Sequence, residues 1–376
     1  MKTALITTTI HIPKNLEGYF ANLQSNGNTD VITIVIGDNK SPAETGAYLA
    51  ELSQKTGFEI DYWDVDRQRA WLKDLPELDA LLPYNSVQRR NLAYLFAVEK
   101  GAENIITIDD DNFATDDDYL DGHGIIGQTV KLPVVTNSTG WFNTASLLVT
   151  DPVRPLFHRG FPICKRGIDE TLTYGEQEGR VICNAGLWLG APDACAMTHN
   201  DAPCDVTGFV PGFEGRLAVA HGTNMVLNSQ NTAFHRDTLP AMFLMPMGGK
   251  CGHLEVGRYD DIWMGIFLKV IADHLGDLIC AGKPLVKQIR NDHDLINDML
   301  VEVPAQRITN TMTKTLPRVS LTGDDYGSCY VELIAQLRAG LSVDGYTAHE
   351  QEYMNGLYDG METWAKISQG FLSSVD

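Results

Sequence analysis

Over the first 113 residues, short β-branched apolar runs alternate with stretches of helical spacing. Strands are expected at Thr3–Thr8, Val31–Ile36, Phe58–Trp63 and Asn104–Ile108, with helices around Lys14–Gln24, Pro42–Thr56 and Ser86–Lys100. Strand, helix and strand in regular order imply a parallel sheet joined by right-handed crossovers. No GxGxxG follows the first strand, which argues against a Rossmann-type dinucleotide fold. From about 114 to 300 the periodicity weakens and Gly, Pro and aromatic residues accumulate, as in irregular backbone that builds a site on a scaffold. After about 301 the pattern turns helical. Tyr330, Ile334, Leu337 and Leu341, then Met354, Leu357, Met361 and Trp364, recur at helical spacing. These stripes are packing surfaces, facing the rest of the chain or a second subunit. The expected organisation is a domain over 1–300, divided near 113 into a nucleotide-binding and an acceptor half, followed by a helical extension over 301–376.

The apolar run Ile105-Ile106-Thr107-Ile108 ends in three carboxylates, Asp109, Asp110 and Asp111. Such a cluster repels itself unless a cation lies among its members or water reaches them. In open α/β sheets, ligands bind at the carboxyl ends of strands. If the chain stays extended, Asp109 and Asp111 point the same way. Oxygen donors so placed suit a hard divalent cation that also holds a diphosphate. The alternative is a solvated acidic turn. The next run, Asp116-Asp117-Asp118, is read as a solvated face or a helix start.

Composition narrows the classes. Of 376 residues, 44% are hydrophobic and 21% charged, ordinary for a globular chain, but the net charge is −20. That excess argues against a non-specific grip on nucleic acid or on anionic membrane. An anionic substrate must therefore be met by local Arg or Lys, or by a metal. No apolar run approaches the ~20 residues of a membrane span, and the N-terminus turns polar too soon for a signal peptide. Seven cysteines without a CxxC pair fit a reduced, cytoplasmic protein.

Four further features carry possible chemistry. Asp38, in Gly37-Asp38-Asn39 after the second strand, either accepts hydrogen bonds from a nucleobase or ribose or belongs to a plain turn. Arg90, in Arg89-Arg90-Asn91, either reaches a phosphate at the strand end or lies exposed on its helix. Arg159, in Phe157-His158-Arg159-Gly160-Phe161-Pro162, is an anion clamp or part of a basic surface loop with Lys165 and Arg166. Asp260 and Asp261 precede an apolar helix, Met264–Leu275. One is expected to cap it, and the other to face a substrate hydroxyl as general base.

Together these motifs resemble the reversibly glycosylated polypeptides, the family of UDP-arabinopyranose mutases. The carrying residues are Thr107-Ile-Asp-Asp-Asp111 with Phe113, Arg159-Gly-Phe-Pro162, Gly186-Leu-Trp-Leu189 with Pro192-Asp193, and Asn231-Thr-Ala-Phe234 with Arg236-Asp237. Gly257-Arg-Tyr-Asp-Asp261 with Trp263, Lys269-Val-Ile271 and Asp273-His-Leu275 extend the series, as do Cys329-Tyr330 and Glu332-Leu333. The resemblance implies a GT-A-type α/β fold with a mostly parallel central sheet. It implies a UDP-sugar bound through a divalent metal, Mn or Mg, at Asp109 and Asp111. It matches Arg159 to the arginine on which the family is reversibly glycosylated. The nucleotide contacts then expected are Asp38, Arg90, Asp110, Arg159 and Trp188, with Arg159, Asp260 and Asp261 catalytic. Self-glycosylation or mutase chemistry follows from the likeness. Transfer to a separate acceptor, and a non-catalytic partner subunit, are the competing readings. Family members tend to assemble with one another, so a homo-oligomer is expected. One departure stands out. Where the family has Tyr-His-Ser-Lys, this chain has Lys287-Gln288-Ile289-Arg290, so that histidine is missing, although His293 is near.

Overall fold

The computed structural model describes residues 2–375. The first half alternates as expected: β1 (Thr3–Thr9), α1 (Asn15–Ser25), β2 (Val31–Gly37), α2 (Thr45–Thr56), β3 (Glu59–Trp63), α3 (Val65–Leu72), α4 (Pro76–Leu81), α5 (Arg90–Glu99) and β4 (Asn104–Ile108). Every residue of β2 and β4 is buried, the mark of strands covered on both faces. Gly57 ends α2 in the left-handed conformation, and the Asp64 side chain caps α3.

The weakly periodic middle contains β5 (Asn112–Ala114), α6 (Tyr119–His123), β6 (Thr129–Asn137), β7 (Leu148–Asp151), β8 (Leu172–Gly190), α7 (Ala196–Asp201), β9 (Asp205–Phe209), β10 (Arg216–Val219) and β11 (Asn231–His235). The short hairpin β12 (Lys250–Cys251) and β13 (Leu254–Glu255) follows, then α8 (Asp260–Leu275) and β14 (Leu278–Gln288). Three helices close the chain: α9 (Leu295–Thr315), α10 (Tyr326–Gly340) and α11 (Ala348–Val375).

The main sheet runs β3-β2-β1-β4-β11-β8-β6-β10-β14-β5, with β7 and β9 paired beside β8. This is the expected α/β architecture, with one correction to its parallel character. Parallel pairing governs β3-β2-β1-β4, while β11 joins antiparallel to both β4 and β8. The middle stretch therefore makes a mixed sheet. Many of its strands follow one another through turns and loops, which permit antiparallel neighbours, while β14, which follows α8, pairs parallel with β8.

The C-terminal stripes pack on the main body. Trp364 stacks on Phe243 at a centroid distance of 5.3 Å and donates its indole N–H to the Leu239 carbonyl at 3.1 Å. Asp118 caps α6 through the amides of Leu120 and Asp121, so the second acidic run is a helix start, and Asp117 pairs with Lys283. Among the described residues no helix is long and apolar enough to cross a membrane.

Candidate active site

A hollow of about 250 Å³ opens at the carboxyl ends of β1, β2 and β4, and another of about 230 Å³ lies between the end of β4, the start of α8 and the end of β14. Each alone falls below the ~300–1,000 Å³ usual for a small-molecule pocket. They share Val87, Asp109 and Asp111 as wall, and so form two lobes of one cleft. The first lobe has Asp38, Arg90 and Asp110 in its lining; the second has Arg159, Asp193, Arg258, Asp260, Asp261, Gln288, Arg290 and His293.

The triplet reaches the cleft by a different route from the one expected. The chain turns at Asp110 and Asp111 instead of staying extended. Asp109 and Asp111 still share both lobes, because the turn folds them around one space. Asp110 is held by the Thr9 hydroxyl at 2.7 Å, and burial raises its pKa. The Asp111 carboxyl is pushed up to about 6 by burial, with Asp109 and Asp110 adding repulsion. Asp38 receives the Asn39 amide at 2.7 Å and the Ser86 amide at 3.1 Å. It therefore both builds the turn and lines the first lobe.

Neither Arg89 nor Arg90 lies exposed on its helix. Arg89 bonds Gln68 and the Leu82 carbonyl and stacks over Tyr84, which makes it a structural residue. Arg90 donates to Asp109 at 2.5 Å, to Thr107 at 3.1 Å and to the Ser229 carbonyl at 3.0 Å. Burial disfavours its charge, but Asp109 outweighs burial and the guanidinium pKa is raised.

Arg159 is buried, and all five of its N–H donors are engaged. Nε donates to Asp193 Oδ1 at 2.7 Å, and Nη2 to Asp193 Oδ2 and Asp261 Oδ2, both at 3.1 Å. Nη1 donates to Asp261 Oδ1 at 3.1 Å and to the Arg258 carbonyl. Burial alone would lower its pKa; the two carboxylates push it well above the ordinary value. Asp193 is held low in turn: burial opposes this, but Arg159 prevails and Asn228 adds a bond at 2.7 Å. Lys165 and Arg166 lie outside the cleft lining and bond the Thr139 and Phe161 carbonyls.

Asp260 and Asp261 both sit in the first turn of α8, but neither caps it; the N-cap position is Tyr259, without a side-chain bond. Asp261 belongs to Arg159 and also receives the Ser229 amide at 3.1 Å. Asp260 takes the Gln88 amide at 2.6 Å. Burial, reinforced by Asp261, raises its pKa, the condition of a carboxyl able to exchange a proton near neutral pH. Trp188 is displaced from its expected role. It is buried on β8 with its ring edge-on to His158 at 5.1 Å, outside the cleft lining.

The residues missed from sequence are Asp193, Gln88, Arg258 and the segment Gln288–His293. Asp193 stood in the quoted Pro192-Asp193 pair, and the chemical need for a carboxylate beside Arg159 was a usable signal. The Ile289 amide donates to the Asp111 carbonyl at 3.0 Å, which fastens this segment to the triplet. Asp298 on α9 then receives Arg258 at 3.3 Å, Arg290 at 3.3 Å and His293 at 3.0 Å, while Glu302 takes Arg258 at 2.9 Å.

For a metal, Asp109 and Asp111 offer the hard oxygens that Mg or Mn prefers. The raised pKa of Asp111 marks a carboxylate short of positive charge. Among the described residues no group of three or more His, Cys, Asp or Glu is placed to hold a metal ion. Two carboxylates alone would suit only an ion that takes most of its shell from water and substrate oxygens, as Mg commonly does.

Comparison with known proteins adds context. The profile of the family described as "Reversibly glycosylated polypeptide" matches residues 34–371. A protein named probable UDP-arabinopyranose mutase 2, from Solanum tuberosum, is 29% identical over 268 residues, 69% of this chain and 65% of its own length. Probable UDP-arabinopyranose mutase 1 from Pisum sativum is 30% identical over 272 residues, 70% of this chain and 66% of its own. The match thus spans just under two thirds of these relatives. Among solved structures, the mannosyltransferase PcManGT from Pyrobaculum calidifontis in complex with GDP-Man and Mn2+ is 9% identical, covers 100% of this chain and 85% of its own, and has a TM-score of 0.41.

Proposed function

This chain belongs to the reversibly glycosylated polypeptide family, and on that premise we propose that it is a metal-dependent enzyme acting at the anomeric carbon of a UDP-sugar. It works as a ring-form mutase or as a self-glycosylating transferase. The observation that carries this reading is the shared cleft, in which Asp109 and Asp111 face the buried pair Asp260 and Asp261.

Asp109 and Asp111 would hold a divalent ion, whose chemistry there would be to neutralise charge on the departing diphosphate. The rest is done by the chain's own groups. Asp38, with the loop Asn85–Val87, lines the lobe for the uridine end. Asp260, with its raised pKa, takes the proton of an attacking hydroxyl. Arg159 and Asp193 hold Asp261 and the start of α8 in place beneath the reacting centre.

A second reading, transfer to a separate acceptor, is favoured by one observation. Arg159 is enclosed by two carboxylates and strongly held in its charged form. A charged guanidinium has no lone pair to offer as a nucleophile.

Incubation with UDP-sugars and Mn2+, followed by intact-protein mass and nucleotide analysis, separates these outcomes. A hexose or pentose mass gain supports self-glycosylation. A changed sugar ring at unchanged nucleotide mass supports the mutase, and release of UDP only with an added acceptor supports external transfer. No turnover and no nucleotide binding would rule out the whole reading.

A further inference from the structure

A departing UDP carries more negative charge than one divalent ion offsets, so a cationic side chain at the diphosphate would stabilise it, and the hydrogen-bond donors left uncommitted bear on which residue is able to serve. Arg159 is the natural candidate from sequence, yet each of its five N–H bonds already ends on Asp193, Asp261 or the Arg258 carbonyl. Turning any of the four that face Asp193 or Asp261 toward a phosphate would weaken a buried ion pair, a costly exchange. Arg90 is fixed on Asp109, Thr107 and Ser229, and the donor it leaves unpaired, Nε, is buried away from the cleft surface. Arg258 is tied to Glu302 at 2.9 Å and to Asp298.

Arg290 differs. Its hydrogen bond to Asp298 is long, 3.3 Å, and that carboxylate also serves Arg258 and His293. It lines the same lobe as Asp109 and Asp111. The Ile289 amide is bonded to the Asp111 carbonyl, so the backbone beside Arg290 is stapled to the triplet. Burial and the neighbouring Arg258 lower its pKa, and Asp298 and Asp193 offset this only in part, so further anionic oxygens would be welcome there.

We propose that Arg290 is the residue that grips the substrate's diphosphate, and that Arg159 is a positioning residue that fixes Asp193 and Asp261. This rests on the UDP-sugar reading above and deepens it. The geometry assigns Asp298 the task of holding Arg290 near the cleft until the phosphates arrive and offer more oxygens. A guanidinium fork suits a diphosphate, and such charge-assisted bonds are the strong ones.

The test is calorimetry on the full chain with UDP, and with uridine by competition, in Mg2+ buffer. R290A should weaken UDP roughly tenfold or more and leave uridine unchanged, while R290K recovers part of the loss because it keeps the charge. R159K, checked for folding by its melt, should lose thermal stability and keep most of its UDP affinity. Wild-type UDP affinity in R290A overturns the inference, as does a folded R159K that loses the diphosphate's contribution. If the native protein binds neither UDP nor uridine, the UDP-sugar reading itself falls, an outcome distinct from UDP binding that ignores R290A.

Discussion

Arg90 Nη2 lies 2.5 Å from Asp109 Oδ1, so the first carboxylate of the acidic triplet is held by a buried guanidinium before any ligand arrives. Asp111, two residues on, receives the Asn112 side-chain amide at 3.3 Å, and its pKa is pushed up to about 6. The first acid of the motif is paired with a cation, and the third is buried among like charges.

Their amide variants should move stability in opposite directions. D109N removes the carboxylate charge from buried Arg90 while its carboxamide oxygen can still accept, and should cost about 1–2 kcal/mol, less than a fully buried pair because Asp109 is one-third exposed. D111N removes a repelled, desolvated charge and should stabilise the metal-free protein at pH 8 by on the order of 2 kcal/mol. Urea melts of both variants check this. Equal destabilisation would show that the two carboxylates are not divided in this way.

The pH dependence follows from Asp111. Its folded pKa, about 6, is above the unfolded value. The stability it contributes is therefore present below the unfolded pKa, about 4, and is lost as pH rises through about 6. Metal binding runs the other way, because only the ionised form is a ligand. Mn2+ affinity should be flat above about pH 7 and fall about tenfold per unit below about pH 6. Manganese titration followed by electron paramagnetic resonance reads this directly, and an affinity unchanged down to about pH 5 would count against Asp111 as a ligand.

The proposed function gives Asp260 a part in chemistry and none in nucleotide binding. D260N should lower turnover by about a hundredfold or more, with UDP affinity close to native. The Gln88 contact survives in this variant, since the oxygen of the introduced carboxamide still accepts. Turnover by UDP release and affinity by calorimetry give the two numbers; a loss of affinity with turnover intact would reverse the assignment.

Gly160 sits between Arg159 and Phe161 at φ +81°, and a Cβ there would come within 2.2 Å of Ile262 Cγ2 on α8. G160A combines left-handed backbone strain with a clash on the helix that carries Asp260 and Asp261. A loss of about 2–3 kcal/mol is expected, with weakened activity, read as a fall in melting temperature. A native melting temperature would mean that this loop and α8 are not rigidly coupled.

The order of elements to β4, and the C-terminal packing stripes, were legible in the chain because period two and period 3.6 are local properties. The acidic end of β4 was legible as a candidate site for the same reason: an apolar run that stops on three carboxylates needs no distant partner to be noticed. Which acid serves which base was settled only by tertiary structure. Gln88 meets Asp260 across 172 residues, and Asp193 meets Arg159 across 34. Arg159 read as an anion clamp because its positive charge was visible and the two carboxylates that consume its donors were not. Trp188 read as a ligand contact because an aromatic residue in a motif does not reveal which side of a strand it occupies. Folding sets those pairings through long-range packing, and a linear pattern carries no record of which side chains it will bring within about three ångströms.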